Sequence, residues 1–191
     1  ILSATDSLNW LSRISGKKAI ELDQLLPSEP TGPASEKFFP YLSGERTPLN
    51  DAHIRAGFSG LGQTSDLAKL TQCVMEGVSF ALRDCLEAIR KTDASPSSLL
   101  AIGGGSVSQF WLQTISNTLN IELEKPKSGE FGAALGAARL AITAIMKNPI
   151  EKIMTKPGIE RKIMPNQKYV ALYQSAYETY KKGHVHLRGL Q

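Results

Sequence analysis

Apolar residues recur at helical steps over residues 3–14, where Leu8, Leu11 and Ile14 share a face around Trp10, and Gly16 follows at the place of a left-handed helix end. From Leu26 to Gly62 the periodicity breaks. Pro27, Pro30, Pro33, Pro40, Gly44, Pro48, Gly57 and Gly60 predict a long loop region with short strands at residues 37–39 and 57–61. Thr64 or Ser65 then caps a long helix, since Leu67, Leu70, Val74, Val78, Ala81, Leu82, Cys85 and Ile89 return at steps of three and four. Pro96 and two serines lead into a short apolar run, residues 99–102. The run stops at Gly103-Gly104-Gly105 and is followed by a helical stretch over residues 107–119. Residues 121–124 alternate as a half-buried strand does. Pro126 through Gly129 form a turn, and residues 131–146, nearly all alanine, leucine and isoleucine, read as a buried helix. A strand at residues 161–164 and an amphipathic helix over residues 167–182 close the pattern, the latter with Val170, Tyr173, Ala176, Tyr177 and Tyr180 on one face. Strands alternating with helices predict an α/β layered fold.

Composition narrows the function classes. A chain of 191 residues, 41% hydrophobic and 21% charged, is that of an ordinary globular domain. At this length folding buries roughly 70% of the chain's surface, so stability needs no metal or disulfide. The two cysteines, Cys73 and Cys85, make neither a disulfide framework nor a zinc site, and His53, His184 and His186 have no metal-binding neighbours in sequence. A cytoplasmic location follows as the expectation. Residues 94–121 carry no charge, but their Gly, Ser, Gln and Asn disqualify them as a membrane span. The net charge of +4 comes from the end of the chain, where residues 147–191 hold 9 basic and 3 acidic side chains. No stripe of Arg and aromatic residues accompanies them, so the reading is a solvated helix surface and not a nucleic-acid interface. The first residue is Ile1, without an initiator Met, which leads us to expect a part of a longer protein.

The chemistry concentrates at Gly103-Gly104-Gly105. Glycines between a strand and a helix let the backbone lie against a ligand, and the following helix offers N–H groups and a positive dipole end, a design suited to a phosphate or nucleotide. The pattern lacks the lysine of a P-loop and the third glycine of the dinucleotide fingerprint. A simple tight turn explains it equally well. A Rossmann-type enzyme also fits the spacing, because Glu122 and Glu124 lie near the distance at which an acidic residue would meet a ribose.

Five blocks in order carry a resemblance. They are residues 39–48 (Phe-Pro-Tyr-Leu-Ser-Gly-Glu-Arg-Thr-Pro), Gly60-Leu61, residues 74–84 (Val-Met-Glu-Gly-Val-Ser-Phe-Ala-Leu-Arg-Asp), the three glycines with Trp111, and residues 134–141 (Ala-Leu-Gly-Ala-Ala-Arg-Leu-Ala). Together they resemble the C-terminal half of the FGGY carbohydrate kinases, from about Leu2 to Ala144 and more faintly to Tyr180. The resemblance implies an actin-like, ribonuclease H-like ATPase fold: here the C-terminal domain, truncated at its N-terminal side, helix-rich with a small mixed sheet. It implies ATP and Mg²⁺ as cofactors, and phosphoryl transfer to the 5-hydroxyl of D-xylulose, with ribulose, gluconate or glycerol as alternative acceptors. Gly104 and Gly105 correspond to the glycines that lie against the nucleotide. Gln109 falls where a polar side chain approaches adenine or ribose, Ser108 assists, and Asn9 matches a position near the phosphates. Gln109 reads equally, and Asn9 more readily, as a solvent-facing helix residue.

The same resemblance places the catalytic Asp, a Gly-Thr-Ser phosphate loop and the sugar-binding domain upstream of Trp10, in segments that this sequence lacks. No catalytic residue or metal ligand is therefore assigned, and residues 1–191 are expected to be inactive alone. Lys69, Cys73 and Ala56 depart from the usual family pattern. Glu45-Arg46-Thr47-Pro48 is expected to pin its loop through ion pairs, Glu76 to join its helix to the core, and the tyrosine stripe to be core or domain interface. Gly132 and Gly136 are expected to permit close helix-to-sheet packing. A non-catalytic nucleotide-binding or interaction module remains the rival from another class, and a homodimer is left open.

Overall fold

The computed structural model describes residues 1–127, 132–146 and 149–188, with side chains as far as Gly183. Its organising element is the helix α3, Leu67–Arg90, preceded in the chain by α1 (Thr5–Ser15), α2 (Ala19–Asp23), β1 (Lys37–Phe39) and β2 (Gly57–Ser59). After it come β3 (Ser98–Leu100), a 3-10 turn at Gly104–Val107, α4 (Gln109–Leu119), β4 (Glu122–Pro126), α5 (Gly132–Met146), α6 (Ile150–Ile153), β5 (Ile159–Ile163) and α7 (Gln167–Arg188). Neither Thr64 nor Ser65 caps α3. The side chain of Asp66 does, accepting from the Lys69 N–H, one residue closer to the apolar repeat.

α3 is buried on most of its circumference because three layers meet on it. Leu8, Leu11, Phe38, Val74, Val78 and Trp111 pack between α1, α3 and α4. Phe39, Tyr41, Phe80, Tyr173, Tyr177 and Tyr180 form a second cluster under α7, with Phe39 and Tyr180 stacked 5.0 Å apart. Leu86, Leu112, Leu119, Leu123 and Ile163 form a third between α3, α4 and the sheet. The tyrosine stripe of α7 is thus core. Ile14, expected on the buried face of α1, is exposed, because α1 turns only Ser7, Leu8 and Leu11 inward.

Two small sheets result. β1 and β2 pair antiparallel, with Phe38 opposite Phe58. β3, β4 and β5 form a mixed sheet in that order, β3 parallel to β4 with Leu99 opposite Leu123, and β4 antiparallel to β5 with Leu123 opposite Ile163. Ser116 and Asn117 of α4 hold this sheet by hydrogen bonds. The Ser116 hydroxyl donates to the carbonyls of Ile121 and Ile163, and the Asn117 side-chain oxygen accepts from the Asn166 N–H at 2.8 Å.

α5 departs from expectation. It begins at Gly132 among the described residues, Phe131 and the Ser128-Gly129 turn lying outside them, and none of its side chains is buried. Leu140 is 63% and Ile145 79% exposed. Its apolar sequence calls for burial, and among the described residues the short α6 and Thr155 beside it leave most of its apolar side chains exposed. Among the described residues no helix is long and apolar enough to cross a membrane.

Candidate functional site

β3 and β4 run parallel, so both direct their chain onward from the same end of the sheet, the place where open α/β sheets form a ligand crevice. Pairing continues one step past β3, the Ala101 N–H donating to the Glu124 carbonyl at 2.9 Å. Gly103 then takes φ +85°, a backbone that L side chains rarely adopt, and turns the chain into the 3-10 segment. The Ser106 N–H and hydroxyl both close on the Gly103 carbonyl, at 3.0 and 2.7 Å.

Helix beginnings flank this turn. α4 starts immediately after it. The first residue of α1, Thr5, brings its hydroxyl within 3.7 Å of where a Cβ on Gly105 would stand. Gly132, the first described residue of α5, meets the Ile102 side chain, a Cβ there falling 3.1 Å from Ile102 Cδ1. The N-terminal ends of α4 and α1, each carrying partial positive charge, thereby lie beside Gly103–Gly105, and Gly132 packs on the neighbouring Ile102. The close packing expected of Gly132 is present; Gly136 has nothing within 4 Å of an added Cβ, so its spacing from Gly132 serves no second contact among the described residues.

The glycines differ in what they face. A Cβ on Gly104 would enter open space, whereas one on Gly105 would stand 3.2 Å from the Trp111 ring. Trp111 has little room to retreat, since its indole N–H donates to the Met75 carbonyl at 2.9 Å in the core. Gly104, like Gly103, therefore faces open space, and Gly105 is the one that seats the turn on the protein. Ser108 is buried and fully engaged: its hydroxyl accepts the Trp111 N–H at 3.0 Å as the cap of α4 and donates to Asp23 Oδ1 at 2.5 Å. Gln109 is half-buried and its side-chain oxygen accepts from Arg161 of β5 at 3.0 Å. Asn9 is exposed one turn beyond Thr5 and donates to Asp6 at 3.3 Å. The structure thus brings Gly104, Gly105, Ser108 and Gln109 to one turn, while Asn9 points its amide along its own helix. Sequence reasoning missed Thr5, Asp23 and Arg161 at this site, because each arrives from a distant segment whose local pattern says nothing of the turn.

Below the turn lies an apolar cavity of about 410 Å³ between α1, α3, α4 and β3. Four consecutive residues of β3 and its extension, Leu99 to Ile102, line it, which a strand does only by presenting its edge. β3 is indeed at the end of the sheet order.

Buried carboxylates lie away from the turn. Glu76 of α3 accepts from the Ala34 N–H at 3.0 Å, Gln72 Nε2 at 2.8 Å and the Tyr173 hydroxyl at 3.4 Å, and burial pushes it up to about 7. It joins α3 to the loop and to α7, the structural part expected of it. Glu36 instead is held at about 2 by the Ser65 hydroxyl first, then by its own backbone and Ser35. Glu45 is buried and accepts from the Arg46 N–H at 2.7 Å, while Arg46 itself is exposed. Burial raises the Cys73 thiol to about 12, which leaves it inert. Among the described residues no three His, Cys, Asp or Glu side chains gather as metal ligands; His53 is exposed, and the His184 and His186 side chains lie outside the description.

A parallel pair of strands, the first leading into a glycine turn beside the starts of α1 and α4, with a small mixed sheet under a helical layer, defines an α/β domain of the actin-like ATPase type. Residues 4–145 match the C-terminal domain of the FGGY family of carbohydrate kinases, and the chain belongs to that family. It is 31% identical to the xylulose kinase of Escherichia coli strain K12 over 185 residues, which cover 95% of the chain and 38% of that relative. The crystal structure of a xyloylose kinase from Brucella ovis superposes with a TM-score of 0.92 at 44% identity, covering all of this chain and 40% of that one. A gluconate kinase from Lactobacillus acidophilus follows with a TM-score of 0.75 at 28% identity, over 95% of this chain and 37% of that one. The chain spans about 38% of the length of the curated relatives it matches.

Proposed function

We propose that this chain is part of the C-terminal, nucleotide-binding domain of a sugar kinase that transfers the γ-phosphoryl group of ATP to D-xylulose. The observation that carries the nucleotide reading is the glycine turn itself, with the N-terminal ends of α4 and α1 beside Gly103–Gly105 and Gly104 open to the outside. Phosphoryl transfer is mostly positioning and charge neutralisation, so a polyphosphate needs backbone donors and positive helix ends at short range. The turn supplies them, and the free side of Gly104 lets a phosphate approach where any Cβ would intervene. Gly105, Ser108 and Gln109 support the turn from behind, and Asn9 lies one helical turn away.

Mg²⁺ would arrive with the phosphates, since the described residues gather no carboxylate cage for it. The cation would neutralise the phosphate charge as the group moves. The general base and the sugar-binding domain belong, in this reading, to the part of the relatives' length that the chain does not span. That part would also complete the sheet along β3 and fill the apolar cavity beneath the turn. Xylulose is favoured over gluconate and glycerol by the curated relatives, which are xylulose kinases in several bacteria.

The test is calorimetric titration of the full-length protein with Mg-ADP, beside a Gly104→Val variant. Saturable binding that disappears in a folded variant supports the reading. Unchanged binding in Gly104→Val moves the nucleotide elsewhere. ADP release measured with D-xylulose, ribulose, gluconate and glycerol in parallel then decides the acceptor, and a preference for any but D-xylulose overturns that assignment.

A further inference from the structure

We propose that Asp23, the last residue of α2, is a positioning residue for the glycine turn, acting through Ser108 and Trp111; the proposal rests on the reading of that turn as the nucleotide site. Eighty-five residues separate Asp23 from Ser108 in sequence, yet the Ser108 hydroxyl donates to Asp23 Oδ1 at 2.5 Å. A serine hydroxyl has one proton. With that proton committed to a carboxylate, the oxygen's lone pairs are left facing the helix, where they accept the Trp111 N–H at 3.0 Å. The bond to an ionised acceptor is the stronger kind, and it polarises the hydroxyl oxygen as an acceptor in turn.

What this fixes is the first turn of α4 and with it the Trp111 side chain. Trp111 is anchored twice, by its backbone N–H on Ser108 and by its indole N–H on the Met75 carbonyl. Its ring is the surface on which Gly105 rests, 3.2 Å from the Cβ position. Glycines hold no conformation by themselves, so a turn of three depends on what it rests against. Asp23 thus sets the orientation of the turn without touching the ligand. α2 has only five residues, with Leu22 as its single buried one, so the link to Ser108 gives this short helix a part in the site that its own packing does not require.

The experiment uses the full-length protein and Mg-ADP as the probe, with steady-state kinetics for ATP and sugar. Asp23→Ala is expected to weaken Mg-ADP binding and raise the KM for ATP by about ten-fold, with kcat and the sugar KM within about two-fold, the scale of one charge-assisted hydrogen bond partly transmitted. Asp23→Asn keeps an oxygen acceptor in place and is expected to return both values to within about two-fold. Ser108→Gly removes the hydroxyl while leaving a residue tolerated at a helix cap; it should show the same loss, with no further loss when Asp23→Ala is added. Additive losses, or Asp23→Ala binding like the wild type, overturn the role of Asp23. If Asp23→Ala does not fold by circular dichroism, Ser108→Gly alone decides, and unchanged Mg-ADP affinity there overturns the proposal. Gly104→Val separates the two readings: if it keeps Mg-ADP binding, the nucleotide assignment fails and not the coupling of Asp23 to the turn.

Discussion

Gly77, in the middle of α3, rests directly against the backbone of Phe38 in β1: a Cβ on Gly77 would stand 3.0 Å from the Phe38 carbonyl carbon and closer still to its oxygen. The obstacle is backbone, paired in a strand, and cannot swing aside. Gly77→Ala therefore sets two effects against each other. Helix propensity favours alanine by about 1 kcal/mol, while overpacking in a tight core costs about 1–3 kcal/mol or more. The collision wins here, and a net loss of about 2 kcal/mol is expected in urea denaturation.

Glu76, the neighbour of Gly77, should give the protein a pH-dependent stability of unusual sign. Burial raises its folded pKa from 4.5 to about 7, against the donors from Gln72 and Ala34 and the nearby Lys37, which favour the charge. The folded state then binds more protons than the unfolded one between these values. Its contribution is fully present below about pH 4.5 and is lost as pH rises to about 7. Glu76→Gln should remove that slope and raise stability near pH 8, by on the order of 2 kcal/mol. Thermal unfolding of both proteins at pH 5, 6.5 and 8 checks this. Glu36, held at about 2, works in the opposite sense and only below pH 4.5, so the two do not overlap.

The periodicity of α3 was readable because one long helix carries a repeat of eight apolar positions, and the glycine turn because three glycines after an apolar run have few other meanings. What could not be read is what depends on distant partners. α2 is too short to show a period, and its Asp23 gains meaning only from Ser108. Gly104 and Gly105 look alike in sequence; Trp111 makes them different. α5 misled because an apolar composition states a need for burial and not where that burial comes from.

Gly104 and Gly105 should accordingly respond differently to alanine. Gly104→Ala places its methyl in open space and should leave the melting temperature within a degree or so, while weakening Mg-ADP binding in the full-length protein. Gly105→Ala presses on a Trp111 ring held by Met75, and should cost about 1–2 kcal/mol of stability. A comparison of melting curves and calorimetric titrations for the two variants checks both halves. Equal behaviour would remove the distinction.

Tyr177 donates its hydroxyl to Asp84 Oδ1 at 2.6 Å, a buried bond between α7 and α3. Burial already raises the Asp84 pKa, and this donor works against the rise. Tyr177→Phe deletes the donor and leaves the carboxylate with less to stabilise its charge. The expected cost is about 1–3 kcal/mol at neutral pH. Because the folded pKa of Asp84 then moves higher still, the loss should shrink as pH falls through the folded values of the two proteins, both above 3.8, and Asp84 becomes neutral in the folded state of each. Urea midpoints at pH 4.5 and 7.5 measure the difference, and a pH-independent loss would assign the cost to packing alone.

The exposed apolar face of α5 makes a demand that the described residues do not meet. Leu140 and Ile145 stand in solvent, and β3 offers an unpaired edge beside an apolar cavity. Contiguous apolar surface and a free strand edge each favour association with another chain. The 191 residues produced by themselves are therefore expected to self-associate at micromolar concentration, and the full-length protein to do so far less. Leu140→Lys combined with Ile145→Lys should lower the association of the isolated chain without lowering its melting temperature, because neither side chain is packed. Sedimentation velocity on the three proteins distinguishes the causes: if the lysine variant still associates, the edge of β3 is responsible, and charged substitution at Leu100, exposed at the end of that strand, becomes the change that should disperse it.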